Sequence, residues 1–117
     1  MQGQIFDLQG AMERLGGDEE LFHDLVRFFL EDSPGLLEQL RTGLERRDAS
    51  LVERAAHSLK GLAGNFGADD AVQKALEIER LGREGQLDRV EPVFPQLEER
   101  IVALQTALAA YRASNGG

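Results

Sequence analysis

Residues 55–67 read Ala55-Ala56-His57-Ser58-Leu59-Lys60-Gly61-Leu62-Ala63-Gly64-Asn65-Phe66-Gly67. At about 100° per residue, Leu51, Val52, Ala55, Leu59, Leu62, Ala63 and Phe66 fall within one arc of a helix, the width of a core-facing stripe. His57 and Gly64 lie roughly opposite the middle of that arc, flanked by Lys60 and Gly61. The imidazole therefore points away from the local core, and the positions above it carry no side chain. Each interior glycine costs a helix about 0.5–1 kcal/mol relative to alanine. Fraying toward a turn accounts for Gly67, a left-handed cap. It accounts poorly for Gly61 and Gly64, because the apolar stripe continues past both, so these two read as a surface kept clear for close approach by something else.

Outward from this stretch, the 117 residues fit one domain. Leucine and alanine dominate a hydrophobic content of 42%, while β-branched and aromatic residues are sparse, which favours helix over sheet. A net charge of −8 argues against nucleic acid and anionic lipid as partners. With no cysteine, disulfides, zinc–thiolate sites, iron–sulfur clusters and thiol nucleophiles are excluded. No stretch has the roughly 18–20 apolar residues of a membrane span, and no signal peptide opens the sequence, so a cytoplasmic location is expected.

In chain order, residues 1–6 read as a loose start, and Asp7 caps a short helix through Leu15 with Leu8, Met12 and Leu15 on one side. Asp18 caps the next helix, with Glu19 and Glu20 in its first turn and Leu21, Leu25, Phe28 and Phe29 as its stripe. Ser33-Pro34 reads as a cap followed by proline at a first helical position, and the pattern resumes through Leu36, Leu37, Leu40 and Leu44. One long element bent at 32–34 is the expectation for 19–46. Asp48 caps the helix bearing His57, and Gly67 ends it. The next helix starts near Ala68–Asp70 with Ala68, Val72, Ala75 and Leu76 as its stripe. Glu79 sits on that same apolar stripe, where a carboxylate is out of place. It is either a snorkelling surface side chain or an acceptor for something buried nearby. Gly82 and Gly85 mark a turn. Val90, Phe94, Leu97, Ile101, Leu104, Leu108 and Tyr111 then repeat at 4-3-4-3-4-3, a bundle seam whose start Pro92 and Pro95 kink or restart. Residues 114–117 are expected to be disordered, leaving an ordered core of about 5–112. Four long helical patterns with short connections predict an all-α antiparallel four-helix bundle with a short extra N-terminal helix.

Several chemistries fail on this pattern. A di-iron bundle needs two Glu-x-x-His motifs, and only Glu20–His23 supplies one. No strand-borne glycine-rich phosphate loop is present, so nucleotide-driven chemistry is not expected. Ser58 is adjacent to His57, and adjacent helical residues point about 100° apart, which does not make a triad. What remains is a solvent-facing imidazole, a good nucleophile near neutral pH when its ring is neutral, with Lys60 one turn along, able to reach an anion carried by that ring.

Ala56-His57-Ser58-Leu59-Lys60-Gly61, followed by Gly64-Asn65-Phe66-Gly67-Ala68, closely resembles the signature of histidine-containing phosphotransfer (HPt) domains. The resemblance extends to Phe6-Asp7, Leu15-Gly16-Gly17-Asp18, Phe29-Leu30, Pro34 and Asp48. The Ile78-Glu79 pair matches a family position whose Glu or Gln neighbours the active histidine. The resemblance implies a carrier that relays phosphoryl groups between receiver-domain aspartates, with His57 as phosphoacceptor, Lys60 and Glu79 assisting, and Gly61 and Gly64 in the docking surface. It implies response-regulator receiver domains or a hybrid sensor kinase as partners and no enzymatic machinery of its own. It also implies a monomer without a cofactor, magnesium being held by the receiver. The alternative is a helical docking or adaptor module whose histidine is not phosphorylated.

Overall fold

The computed structural model describes residues 5–115. Its helices are α1 (Leu8–Arg14), α2 (Glu19–Glu45), α3 (Ala49–Gly64), α4 (Asp69–Arg83), α5 (Leu87–Val90) and α6 (Phe94–Ser114). The long helix α2 packs on α3 and α6, and α4 packs on the same two, so the four long helices close into an antiparallel bundle. Twenty-seven residues of α2 rise about 40 Å at 1.5 Å each, which matches the 41 Å longest extent of the molecule.

The three aspartates read as caps all serve as caps. Asp7, Asp18 and Asp48 accept from the backbone N–H of Gly10, Leu21 and Leu51 at 3.0, 3.0 and 3.1 Å. Helix α1 lies against the α3–α4 turn, because the Asp7 N–H donates to Phe66 O at 2.7 Å and Arg14 reaches Asn65 O at 3.3 Å. Its fully buried residue is Ala11, and Met12 and Leu15 of the expected face pack half-buried against the core, whereas Leu8 stays exposed. Residues 5–6 are less loose than expected, since Phe6 packs edge-on against Phe66. The rest of the expected loose start, residues 1–4, lies outside the described residues, as do 116–117. Ser114 ends α6 as helix rather than beginning a tail.

Helix α2 is continuous through Pro34, and Ser33 is not a cap. A proline inside a helix removes one i→i−4 bond and crowds the preceding turn, at a cost of about 3 kcal/mol. Burial of Phe29, Leu37 and Leu40 on both sides of it offsets that cost. Ser33 is fully buried and its Oγ accepts from Gln105 Nε2 of α6 at 2.8 Å. The buried stripe of α2 is Phe22, Val26, Phe29, Ser33, Leu37, Leu40 and Leu44, leaving Leu21 and Phe28 of the expected stripe exposed. Likewise α4 buries Ala71, Ala75, Ile78 and Leu81, while Leu76 is exposed.

Phe66 closes the core at the end of α3, with Phe6, Phe22 and Phe29 edge-on around it at centroid distances of 6.3, 5.6 and 5.8 Å. The seam read in the last segment is buried from Val90 through Leu108, with Tyr111 half-buried at its end. The proline pair produces a restart. The single turn α5 ends at Val90, and α6 begins at Phe94 with Pro95 in its first turn, where no N–H is needed.

Gly82 marks no turn. It lies buried inside α4, where a Cβ would come within 3.1 Å of the Glu53 backbone nitrogen and 3.3 Å of Val52 Cγ1. Gly43 of α2 meets Val52 from the other side, 2.8 Å from Cγ2 to the position of its missing Cβ. These two glycines let α2 and α4 close on α3, one turn below His57. The chain reverses at Gly85, whose φ of +72° suits glycine.

Candidate functional site

His57 sits on the outer face of α3, in the third of its turns, with its side chain 65% exposed. The buried neighbours Val52, Ala55, Ala56 and Leu59 fix the rotation of the helix that turns it outward. From α4, Glu79 comes up beneath the ring. Its side chain is 6% exposed, and Oε2 lies 2.8 Å from His57 Nδ1. Of the two readings of this carboxylate, the structure selects the acceptor. Lys60 Nζ stands 2.7 Å from Glu79 Oε1, an ion pair that gives this otherwise unpartnered oxygen its counter-charge. Arg83, one turn further along α4, donates from Nη2 to Glu79 Oε2 at 3.2 Å and from Nε to Glu53 Oε2 at 3.0 Å.

Burial is the largest single influence on the Glu79 carboxyl and opposes its ionisation. The hydrogen bonds and charges of Lys60 and His57 together outweigh it, and the group is held below the ordinary carboxylate value of 4.5. An ionised carboxylate can only accept, so the hydrogen between it and His57 belongs to Nδ1. The lone pair is therefore on Nε2, the nitrogen turned away from Glu79. The fixed tautomer follows from one buried negative charge.

A group whose pKa falls on folding stabilises the folded state wherever it is ionised. The contribution of the Glu79 charge is thus complete above pH 4.5 and lost as the pH falls below that, through its lowered folded value. The stability difference between the wild type and Glu79→Gln is expected to be constant near neutrality and to shrink as the pH drops below 4.5. Urea titrations of both proteins across that range measure it, and a gap that persists unchanged to strongly acid pH contradicts the assignment.

The residues singled out in the sequence come together in part as expected. His57, Lys60 and Glu79 form one cluster. Lys60, however, is committed to Glu79 rather than extended toward a ligand, because that buried carboxylate offers the nearest negative charge. Neither glycine is required by packing. A Cβ at Gly61 meets nothing within 4 Å, and one at Gly64 makes only ordinary contact with Val72 at 4.0 Å. Beside them a groove of about 730 Å³ runs between α2 and α3, lined by His57, Gly61 and Leu62 on one side and by Asp32, Leu36 and Gln39 on the other. Arg83 and Glu53 were not singled out. The signal for both is i,i+4 spacing, Arg83 from Glu79 and Glu53 from His57.

His23, the other histidine, stands apart. Its ring packs edge-on against Tyr111 at 5.9 Å, beside a cavity of about 120 Å³ between α2 and α6 that shares no residue with the His57 groove. Among the described residues, no three His, Asp or Glu side chains converge as a metal-binding group. No helix among them is long and apolar enough to cross a membrane.

The sequence model of the family described as Hpt domain matches residues 24–112. No curated protein sequence matches the chain. Among solved structures, the chain is similar to the histidine-containing phosphotransfer protein B (HptB) of Pseudomonas aeruginosa PAO1, at 25% identity over 97% of this chain and 98% of that one, with a TM-score of 0.86. It also matches the HPT domain of a sensor hybrid histidine kinase from Shewanella in fold, with a TM-score of 0.85 at 16% identity over 94% of this chain and 95% of that one.

Proposed function

Because this chain belongs to the Hpt domain family, a family of phosphocarriers in phosphorelay signalling, we propose that His57 is the residue through which it carries phosphoryl groups. The observation that supports this most is the pairing of Nδ1 with a buried, ionised Glu79 at 2.8 Å while the ring is otherwise open to solvent. Nε2 then acts as the nucleophile. Its lone pair forms the N–P bond as the P–O bond of a receiver's aspartyl phosphate breaks, and the aspartate carboxylate leaves with the bonding electrons. Nδ1 keeps its proton, so the ring becomes cationic beside Glu79, whose charge stabilises it. Lys60 exchanges Glu79 for the incoming phosphoryl oxygens. Transfer to the next receiver is the same step reversed.

In this reading the partners are receiver domains, free or within a hybrid kinase, and the magnesium ion is theirs. This chain needs no cofactor and no nucleotide, and it works as a cytoplasmic monomer. The receiver docks over the α2–α3 groove, with Gly61 and Gly64 giving it room beside His57. Such a transient interface buries less than about 1,200 Å². The test is incubation with a phosphorylated receiver domain and detection of an acid-labile, alkali-stable label on this chain; absence of that label sinks the reading.

Gly61 separates access from folding. Gly61→Ala finds open space and is expected to stabilise α3 by up to about 1 kcal/mol. Gly61→Gln leaves thermal stability at or above wild type and slows labelling by the receiver, about tenfold or more by analogy with other misplacements at reacting centres. Labelling of Gly61→Gln at the wild-type rate would show that the cleared surface has no part in docking.

A further inference from the structure

Two cations flank the site, Lys60 and Arg83, and they are not equivalent. Lys60 Nζ holds Glu79 Oε1, the oxygen away from the imidazole, through a single contact at the end of a flexible stem. Arg83 holds Oε2, the same oxygen that accepts from His57 Nδ1, and is itself anchored by its Nε to Glu53. Glu53 is one turn before His57 on α3, so Arg83 ties the carboxylate to the helix that carries the nucleophile.

Resting on the reading of His57 as phosphoacceptor, we propose that Lys60 is the mobile cation of the site and Arg83 the fixed one: Arg83 is a positioning residue that keeps Glu79 aimed at Nδ1 while Lys60 moves to the phosphoryl group. A phosphoryl dianion on Nε2 carries more charge than one carboxylate and draws the ammonium away. Oε1 then loses its only partner. The charge lost is replaced by the ring itself, which becomes cationic as the N–P bond forms. The aim of Oε2 during the exchange is left to Arg83, a guanidinium that stays protonated and whose fork spans two carboxylates. Because the Arg83 side chain is 60% exposed, its effect should be modest.

The test uses the full chain, a receiver domain phosphorylated with acetyl phosphate and magnesium, and nitrogen NMR of His57. Arg83→Gln is expected to slow labelling roughly three- to tenfold and to lower the share of ring carrying its hydrogen on Nδ1. Arg83→Lys restores the charge without the fork and recovers part of both. Glu53→Gln, which loosens the anchor and keeps the guanidinium, moves both in the same direction by less. Lys60→Ala slows labelling more strongly and leaves the Nδ1 tautomer in place. The proposal is overturned if Arg83→Gln keeps the wild-type tautomer, whether or not labelling slows, or if Lys60→Ala changes the tautomer and Arg83→Gln does not. If Arg83→Gln melts early, the spectra of Arg83→Lys and Glu53→Gln decide by the same criterion. Wild-type protein that takes no label refutes the phosphocarrier role of His57 instead.

Discussion

Replacing His57 by Gln is expected to abolish phosphoryl acceptance while leaving the helical circular dichroism and the melting temperature close to wild type. The ring contributes little to the core, since its side chain is 65% exposed and α3 is held by Val52, Ala55, Ala56, Leu59 and Ala63 on the opposite face. Glutamine can still donate to Glu79, so the buried carboxylate is not abandoned. What disappears is the only nucleophilic nitrogen at the site. His23 does not replace it: its ring lies against Tyr111, with neither a carboxylate nor a lysine placed as Glu79 and Lys60 are. Label persisting in His57→Gln, measured by acid lability after incubation with a phosphorylated receiver, would remove His57 from the mechanism.

The second large effect is on stability and reaches the site through packing. Gly82→Leu is expected to cost about 2–3 kcal/mol, in the range of overpacked cores, and to lower the melting temperature by roughly 10 °C. Leucine gains at most about 0.8–1 kcal/mol of helix propensity over glycine, too little to prevail. Its Cβ alone would stand 3.1 Å from the Glu53 nitrogen and 3.3 Å from the Glu53 Cα, and backbone cannot rotate aside as a side chain can. Helix α4 must move off α3, and Glu79 travels with it, one turn from the substitution. The variant should therefore lose both stability and the fixed His57 tautomer, as followed by thermal melting and nitrogen NMR. Wild-type stability in Gly82→Leu would mean that α3 and α4 do not approach closely enough to exclude a side chain at Gly82.

Gly82 also shows where a single sequence runs out. Near Gly85 it reads as part of a turn, because nothing local separates a glycine that breaks a helix from one that lets another helix approach. The helix partner decides, and here it is Val52 and Glu53, about thirty positions away. Ser33-Pro34 misleads only as to the cap: the local signal is a helix start, yet the buried face on both sides of Pro34 carries α2 through as the one long element expected. On α2 two apolar faces compete, Leu21–Leu25–Phe28 and Phe22–Val26–Phe29, and only the positions of α6 and Phe66 select the second. The α6 seam was legible because its period is uninterrupted over five buried positions from Phe94 to Leu108.

The site was legible to the extent that its residues lie close in sequence. His57, Lys60, Gly61 and Gly64 share one helix face, and their relation follows from the helical period alone. From the helical period alone Glu79 is a carboxylate on the wrong face of α4, and the family resemblance was needed to set it beside the histidine; its distance to the ring is a tertiary fact. The commitment of Lys60 to Glu79 in the resting protein is another, set by the burial of that charge.

The central claim is that Glu79 holds the hydrogen on Nδ1 of His57 and thereby assigns the nucleophile to Nε2. Phosphorus–nitrogen correlation on nitrogen-labelled protein, phosphorylated by a receiver domain, tests it most directly. The phosphoryl group is predicted on Nε2 of His57, with Nδ1 still bearing its hydrogen. A phosphoryl group on Nδ1, or on any other residue, would contradict it.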